Sequence, residues 1–241
     1  MESVKILFAN NTPGCGKSTL SLALACHICE ESSTEPIQTT LFDCNEIATL
    51  FNKRKEEEQL RDDNQSKIAP YEILSLPIQN ESLYRNTLES IKNRKAAYIF
   101  DLPSNCIDTD LFQLIYYADI IICPLILTAK GVEETNKIVE FISNSIHVFQ
   151  EANVKNTTPK IFIVPNMIHP SWKNPDISNF WKDISNIKQC IVTPNIPWRE
   201  NLLNELSTYD KVNDFDEIFS PALEPIYKSI EQIYGSHYDG K

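Results

Sequence analysis

Glycine is scarce in this chain: 5 of 241 residues, two of which, Gly14 and Gly16, fall inside one short loop. Where glycine is otherwise avoided, its use there points to a backbone requirement. Also missing is any run near the about 18 consecutive apolar residues of a membrane-spanning helix. The N-terminus passes straight into a strand pattern without the layout of a secretory leader. No internal repeat, low-complexity linker or shift of composition marks a boundary, so a single domain over residues 1–241 is expected. The seven cysteines, at 15, 26, 29, 44, 106, 123 and 190, are odd in number and scattered through apolar segments. That argues against a disulfide framework and for reduced thiols. Apolar content of 42% and charged content of 23% are those of a globular protein, for which the cytoplasm is the expected compartment. Basic residues are outnumbered 33 to 22, leaving a net charge of −11 that opposes non-specific attraction to nucleic acid. DNA binding would need a local basic patch.

What the chain does contain is Asn10-Asn11-Thr12-Pro13-Gly14-Cys15-Gly16-Lys17-Ser18-Thr19, between an apolar β-type run (Val4 to Ala9) and a helical one (Leu20 to Cys29). This is the setting of a phosphate-binding loop. Backbone N–H groups from Gly14, Cys15, Gly16, Lys17, Ser18 and Thr19 can converge on a polyphosphate at a helix N-terminus, where unpaired donors and the helix dipole favour negative charge. A side chain at Gly14 or Gly16 would obstruct that approach. In the Walker A pattern Lys17 reaches the β and γ phosphates and Ser18 ligates Mg²⁺, so ATP and Mg²⁺ are the expected cofactors. The pattern's first glycine position holds Asn11. Cys26-His27-Ile28-Cys29 invites a metal reading, but in mid-helix and without a second pair it reads as packing against a sheet.

Strand and helix patterns alternate along the rest. Strands are expected at Thr39 to Asp43, Tyr71 to Leu76, Ala96 to Asp101, Asp119 to Ile126, Lys160 to Val164 and Cys190 to Val192. Helices are expected at Ser82 to Asn93, opened by a serine cap, and at Thr109 to Tyr117, Val132 to Gln150, Ile177 to Asp183 and Ser220 to Tyr234. The cluster Lys53-Arg54-Lys55-Glu56-Glu57-Glu58 is read as a solvated helix face, and His169 to Asp176 as a surface loop. Unbroken apolar runs suit strands buried on both faces. The fold class is therefore α/β: an open, mostly parallel sheet with helices on both faces. Ligands of such sheets bind at the carboxyl ends of the strands, where Asp43 and Asp101 both stand. Asp101 is the natural Walker B acid, holding Mg²⁺ opposite Ser18; Asp43 is divided between a site and a turn role.

Together these segments resemble the ParA/MinD family of deviant Walker A ATPases through most of the chain. Thr12-Pro13-Gly14-Cys15-Gly16-Lys17-Ser18 occupies the family's Lys-Gly-Gly-x-Gly-Lys-[Ser/Thr] slot, and Phe42-Asp43-Cys44-Asn45 resembles its Asp-x-Asp segment. Ile99-Phe100-Asp101-Leu102-Pro103 is similar to its strand ending in Asp-x-Pro, and Ala118 to Pro124 to its Ala-Asp-hydrophobic-Pro strand. Phe162-Ile163-Val164-Pro165-Asn166 resembles the strand whose asparagine contacts adenine, and Ile196-Pro197-Trp198-Arg199 the late Ile-Pro-x-Arg element. The resemblance implies catalytic roles for Lys17, Asp43 and the Asn45 position, nucleotide contacts for Asn166 and Pro197, a nucleotide-linked homodimer cycling between ATP and ADP, and a ParB-like partner.

Three departures bear on that implication. Thr12 stands where the family keeps its signature lysine, which reaches across a dimer to the partner's phosphates; Pro13 replaces a glycine and removes an N–H donor. Asn45 stands where the second acid positions the attacking water, and an amide is a poor base. The expected function is a ParA-like partition or positioning switch with slow hydrolysis. Residues 151–241 hold 9 Lys and Arg against 12 Asp and Glu, so only a spatial cluster of Lys173, Lys182, Lys188 and Arg199 would favour DNA. The final helix lacks the basic face of a MinD membrane-targeting helix. Two alternatives stand beside this reading. One is a non-catalytic nucleotide-binding scaffold. The other is a bacterial tyrosine kinase domain, whose Pro-Gly-x-Gly-Lys-[Ser/Thr] loop and tyrosine-rich tail resemble residues 13–19 and Tyr227, Tyr234 and Tyr238.

Overall fold

A computed structural model of the chain describes residues 3–31, 36–60, 69–79, 81–104, 106, 108–154, 157–169, 190–200, 202 and 206–235. The elements are β1 (Val4–Phe8), α1 (Lys17–Glu31), β2 (Thr39–Asp43), α2 (Thr49–Leu60), β3 (Glu72–Ser75), α3 (Glu81–Ile91) and β4 (Ala97–Asp101). They continue with α4 (Asp108–Tyr117), β5 (Ile120–Ile126), α5 (Ala129–Glu151), β6 (Lys160–Asn166), β7 (Cys190–Val192), α6 (Phe215–Ile218) and α7 (Ser220–Gly235). The seven strands form one sheet in the order β3-β2-β4-β1-β5-β6-β7, every pair parallel.

Alternate residues of each strand feed two separate cores. Val4, Ile6, Phe8, Leu41, Ile99, Ile120, Ile122 and Phe162 join α1, α6 and α7 on one face. Leu7, Phe42, Tyr98, Phe100, Ile121, Cys123 and Ile163 join α3, α4 and α5 on the other. Both faces are covered, so the strands can be apolar at every position, and each fully buried Ile or Phe contributes about 1.5–3 kcal/mol. α1 packs against both the sheet and α7, and every residue from Thr19 to Ile28 is buried. A helix enclosed on this scale is apolar around most of its circumference.

Beyond shifts of a few residues, such as α5 starting at Ala129 and β6 ending at Asn166, the expected elements differ from the observed ones as follows. α1 starts at Lys17, three residues before the apolar run, because Leu20 N already donates to Gly16 O at 2.9 Å. α3 starts at Glu81, so Ser82 lies within the first turn and does not cap it; Glu81 instead pairs with Arg85 at 2.6 Å one turn on. The Lys53–Glu58 cluster is only in part a solvated face: Lys55, Glu56 and Glu58 are exposed. Arg54, however, is only 5% exposed and, with Lys53, Glu57 and Glu58, binds the segment 206–209. The short α6 had no helical signal of its own. The helix expected at Ile177 to Asp183, and residues 170–176 of the expected loop, lie outside the described residues.

Candidate functional site

β1 sits between β4 and β5, so the loop that follows it opens at the centre of the sheet's carboxyl edge. Gly14 (φ +70°) and Gly16 (φ +95°) take left-handed backbone conformations there. A Cβ on Gly16 would lie 2.2 Å from Asn166 Nδ2, so glycine is required by space as well as by φ. Asn166, the last residue of β6, donates from Nδ2 to Cys15 O at 2.9 Å and accepts from Met167 N at 2.9 Å. From the loop's other end, Asn10 Nδ2 donates to Pro124 O (2.7 Å) and to Thr135 Oγ1 (2.9 Å), and Asn10 Oδ1 accepts from Thr12 N (2.7 Å). The loop is thus braced by β5, β6 and α5. Its α1 end leaves the first-turn amides of Lys17, Ser18 and Thr19 without helical acceptors.

Charged groups gather at that helix end. Lys17 is 7% exposed and its Nζ donates to Asn10 O (2.9 Å) and Ser104 Oγ (2.7 Å). Ser18 Oγ donates to Asp101 Oδ2 at 2.6 Å, and Asn45 Nδ2 lies 3.4 Å from the same oxygen. Asp101 is fully buried, which pushes its carboxyl up to about 7; the Ser18 hydrogen bond, Lys17 and the Asn45 amide pull it down, while Asp43 pushes it up. Its other oxygen, Oδ1, is buried and has no hydrogen-bond partner. A buried carboxylate oxygen left unpaired is costly, and a hard cation held by oxygen ligands would satisfy it. The donor set of Ser18 Oγ and Asp101 therefore fits Mg²⁺.

Asp43 is also fully buried, but both of its oxygens are taken. Oδ2 accepts from Leu50 N (2.7 Å) and Phe51 N (3.2 Å), first-turn amides of α2; Oδ1 accepts from Asn45 N (3.2 Å) and Asn45 Nδ2 (3.1 Å). A carboxylate in this position is a helix anchor, favoured by the free amides and the dipole. The aligned strand ends, with Phe8 opposite Asp101 and Asp101 opposite Asp43, bring Gly14 to Thr19, Asp43, Asn45 and Asp101 into one group. Asn166 joins it through Cys15. Pro197 lies one step outward, in a parallel bridge with Ile168 flanked by Ile168 N→Ile196 O (3.0 Å) and Trp198 N→Ile168 O (2.9 Å).

Three polar residues at the site carried no signal in the sequence as functional residues: Asn10, Ser104 and Thr135. Each is small and polar, and only tertiary contacts with Lys17 or the loop distinguish it. Among other candidates, Thr12 is 6% exposed with a buried, unpartnered hydroxyl, so it supplies neither charge nor reach. Cys26 Sγ faces Tyr71 (3.7 Å), Cys29 Sγ faces Pro70 O (3.2 Å) and His27 packs on Tyr227 (ring centroids 5.4 Å apart), so the Cys-His-x-Cys side chains go to separate neighbours. Arg199 is held by Asn213 O (2.7 Å) and Asp214 (3.4 Å) of its own chain, and Lys173, Lys182 and Lys188 lie outside the described residues.

No protein-family model and no curated protein matches the chain by sequence. Solved structures do match it in fold. A Cyanothece McdA–ATP complex superposes with a TM-score of 0.66 at 12% identity, covering 97% of each chain. A putative plasmid partition protein of Borrelia burgdorferi bound to AMPPNP gives 0.62 at 18% identity, covering 98% of this chain and 100% of its own. The MinD cell division protein of Aquifex aeolicus gives 0.57 at 14% identity, covering 96% and 97%. Over nearly their whole lengths, then, this chain and these proteins share one architecture, the P-loop α/β fold of the ParA/MinD kind.

Proposed function

We propose that the chain binds Mg-ATP at the head of α1 and works as a ParA-like partition or positioning switch with slow hydrolysis. One observation carries the binding half: the orphaned, buried Asp101 Oδ1 beside the Ser18 hydroxyl, 2.6 Å from its sister oxygen, at a glycine-shaped helix N-terminus. In this reading the backbone N–H groups of Gly14 to Thr19 hold the phosphates, and Lys17 adds its ammonium. Ser18 and Asp101 hold Mg²⁺, which when bound neutralises phosphate charge. Asn166 and Pro197 border the base. The switch half is supported by the shared fold with the McdA–ATP complex, the AMPPNP-bound partition protein and MinD.

Slow turnover follows from the acids. Asp43 spends its lone pairs on α2 and Asn45, Asp101 gives Oδ2 to Ser18 and is assigned with its free Oδ1 to Mg²⁺, and Asn45 brings no base, so in this reading no carboxylate is left over to take a proton from water. Calorimetric titration with Mg-ATP should show binding in the native protein and none in Lys17→Ala. Native protein that binds no Mg-ATP rejects the proposal, and ordinary steady-state turnover that vanishes in Lys17→Ala rejects its slow half. The same engaged acids favour a second reading, a scaffold that binds ATP without turning it over, for which hydrolysis stays absent even with a ParB-like partner added. For the tyrosine kinase alternative, Tyr227 is 5% exposed and packed on His27, Tyr234 is half-buried, and Tyr238 lies outside the described residues.

A further inference from the structure

Ser104 lies three residues beyond Asp101, across Leu102 and Pro103. Leu102 N donates to Phe8 O at 3.3 Å, so the segment leaving β4 runs beside the segment leaving β1, and Ser104 arrives next to the glycine loop. There it accepts a hydrogen bond from Lys17 Nζ at 2.7 Å, while the same ammonium donates to Asn10 O at 2.9 Å. An ammonium has three N–H donors and two are spent; the third meets no acceptor among the described residues. The Ser104 hydroxyl accepts in its contact with Lys17, which leaves its own hydrogen to donate, and that hydrogen too meets no acceptor among the described residues. Two unspent donors therefore belong to atoms in direct contact beside a helix N-terminus shaped for an anion.

We propose that Ser104 is a terminal-phosphate contact, whose hydroxyl donates to the outermost phosphate of a Mg-nucleoside triphosphate and so lets the site tell triphosphate from diphosphate. This rests on the reading that the Gly14 to Thr19 loop binds Mg-ATP, in which Lys17 reaches the outer phosphates. A group touching the Lys17 ammonium is within reach of the anion that the ammonium holds. A diphosphate lacks the terminal group and leaves Ser104 with Lys17 alone. The sequence around it gives the position further sense: with Thr12 bringing no charge to the loop, the two spare side-chain donors add to the loop amides in reading the terminal phosphate.

The test is calorimetric binding of Mg-AMPPNP and Mg-ADP to the full chain and to Ser104→Ala, Ser104→Thr and Lys17→Ala, with folding checked by circular dichroism. Ser104→Ala is expected to weaken Mg-AMPPNP about ten-fold, as loss of a hydrogen bond to a charged group does, and to leave Mg-ADP within about two-fold. Ser104→Thr, which keeps the hydroxyl, is expected to retain the native preference. Equal weakening of both nucleotides, or unchanged Mg-AMPPNP affinity, overturns the assignment of Ser104 while the loop reading stands. Native protein that binds neither nucleotide overturns both.

Discussion

Asn45 touches both buried acids: its Nδ2 is 3.1 Å from Asp43 Oδ1 and 3.4 Å from Asp101 Oδ2. The residue that reads in sequence as a lost acid is, in the fold, the donor that lets two carboxylates share a low-dielectric corner. Asn45→Asp removes that donor and adds a third negative charge, so in EDTA it should lower unfolding free energy by about 1 kcal/mol, read from urea denaturation. Added Mg²⁺ should recover the loss. If the absent base limits turnover, the same variant should raise ATP hydrolysis on the order of ten-fold or more in a steady-state phosphate-release assay. Gly16 gives a sharper outcome. Its φ of +95° and the 2.2 Å approach of Asn166 mean that Gly16→Ala must displace the Asn166 amide. Titration should show nucleotide binding lost, with a stability cost of about 1–3 kcal/mol. The glycine pair, Lys17 and Ser18 were legible because a glycine-poor chain placed them between a strand and a helix. Ser104 and Asn10 were not, since a hydroxyl or amide acquires a role only from what faces it.

At the scale of elements, α2 is tied down at both ends. Asp43 anchors its N-terminus, and further along it Arg54 is buried beneath Tyr209, 4.3 Å from that ring, donating to Tyr71 O (2.9 Å) and Thr208 Oγ1 (2.8 Å). The Thr208 hydroxyl in turn donates to Glu57 Oε2 at 2.5 Å. Arg54→Ala strips the donors from a closed network and should cost about 3 kcal/mol, measured by chemical denaturation, with earlier proteolytic cutting near residues 206–209. A charged residue looks the same in sequence whether it faces water, as Lys55 and Glu56 do, or a neighbouring segment 150 residues away, as Glu57 does, and that is why the solvated reading missed Arg54 and its partners.

The packing of α1 on α7 carries a pH dependence. His27 is buried, its two ring nitrogens make no hydrogen bond, and burial holds its pKa below the usual value; Lys211 adds to this, while Glu31 and Glu224, the latter 3.7 Å away, oppose it. A histidine whose folded pKa is depressed contributes stability that is complete above about pH 6.5, the unfolded value, and is lost as pH falls through the lower folded value. Asp101, pushed up to about 7, gains stability over the same range, so the His27 contribution is read as a difference: on acidification below pH 6.5 the native urea midpoint should fall relative to that of His27→Leu measured in parallel.

For the whole molecule, the proposed switch turns on whether nucleotide brings two copies together. Thr12 is buried and uncharged where the resembled family carries its cross-subunit lysine. Light scattering with and without Mg-AMPPNP should show a nucleotide-driven doubling of mass only if another cation takes over that part; unchanged mass means that nucleotide does not drive dimerisation. Among the described residues no helix is long and apolar enough to cross a membrane. The parallel sheet was readable because its central strands, buried on both faces, are nearly continuous apolar runs, and because β2 and β4 end in an acid. The order β3-β2-β4-β1-β5-β6-β7 was not, since pairing joins segments far apart in the chain.

By itself the sequence determined the type of every strand and of the longer helices, the glycine loop and the acid at the end of β4, because these depend on local backbone freedom and on burial summed over a few residues. Only the tertiary structure decided that Asn45 bridges two acids, that Asp43 anchors a helix, that a charged helix face is a clasp, and that Ser104 meets Lys17. Those facts depend on which strand ends lie side by side, and a hydrogen bond is set by distances of a few ångströms that sequence spacing does not encode.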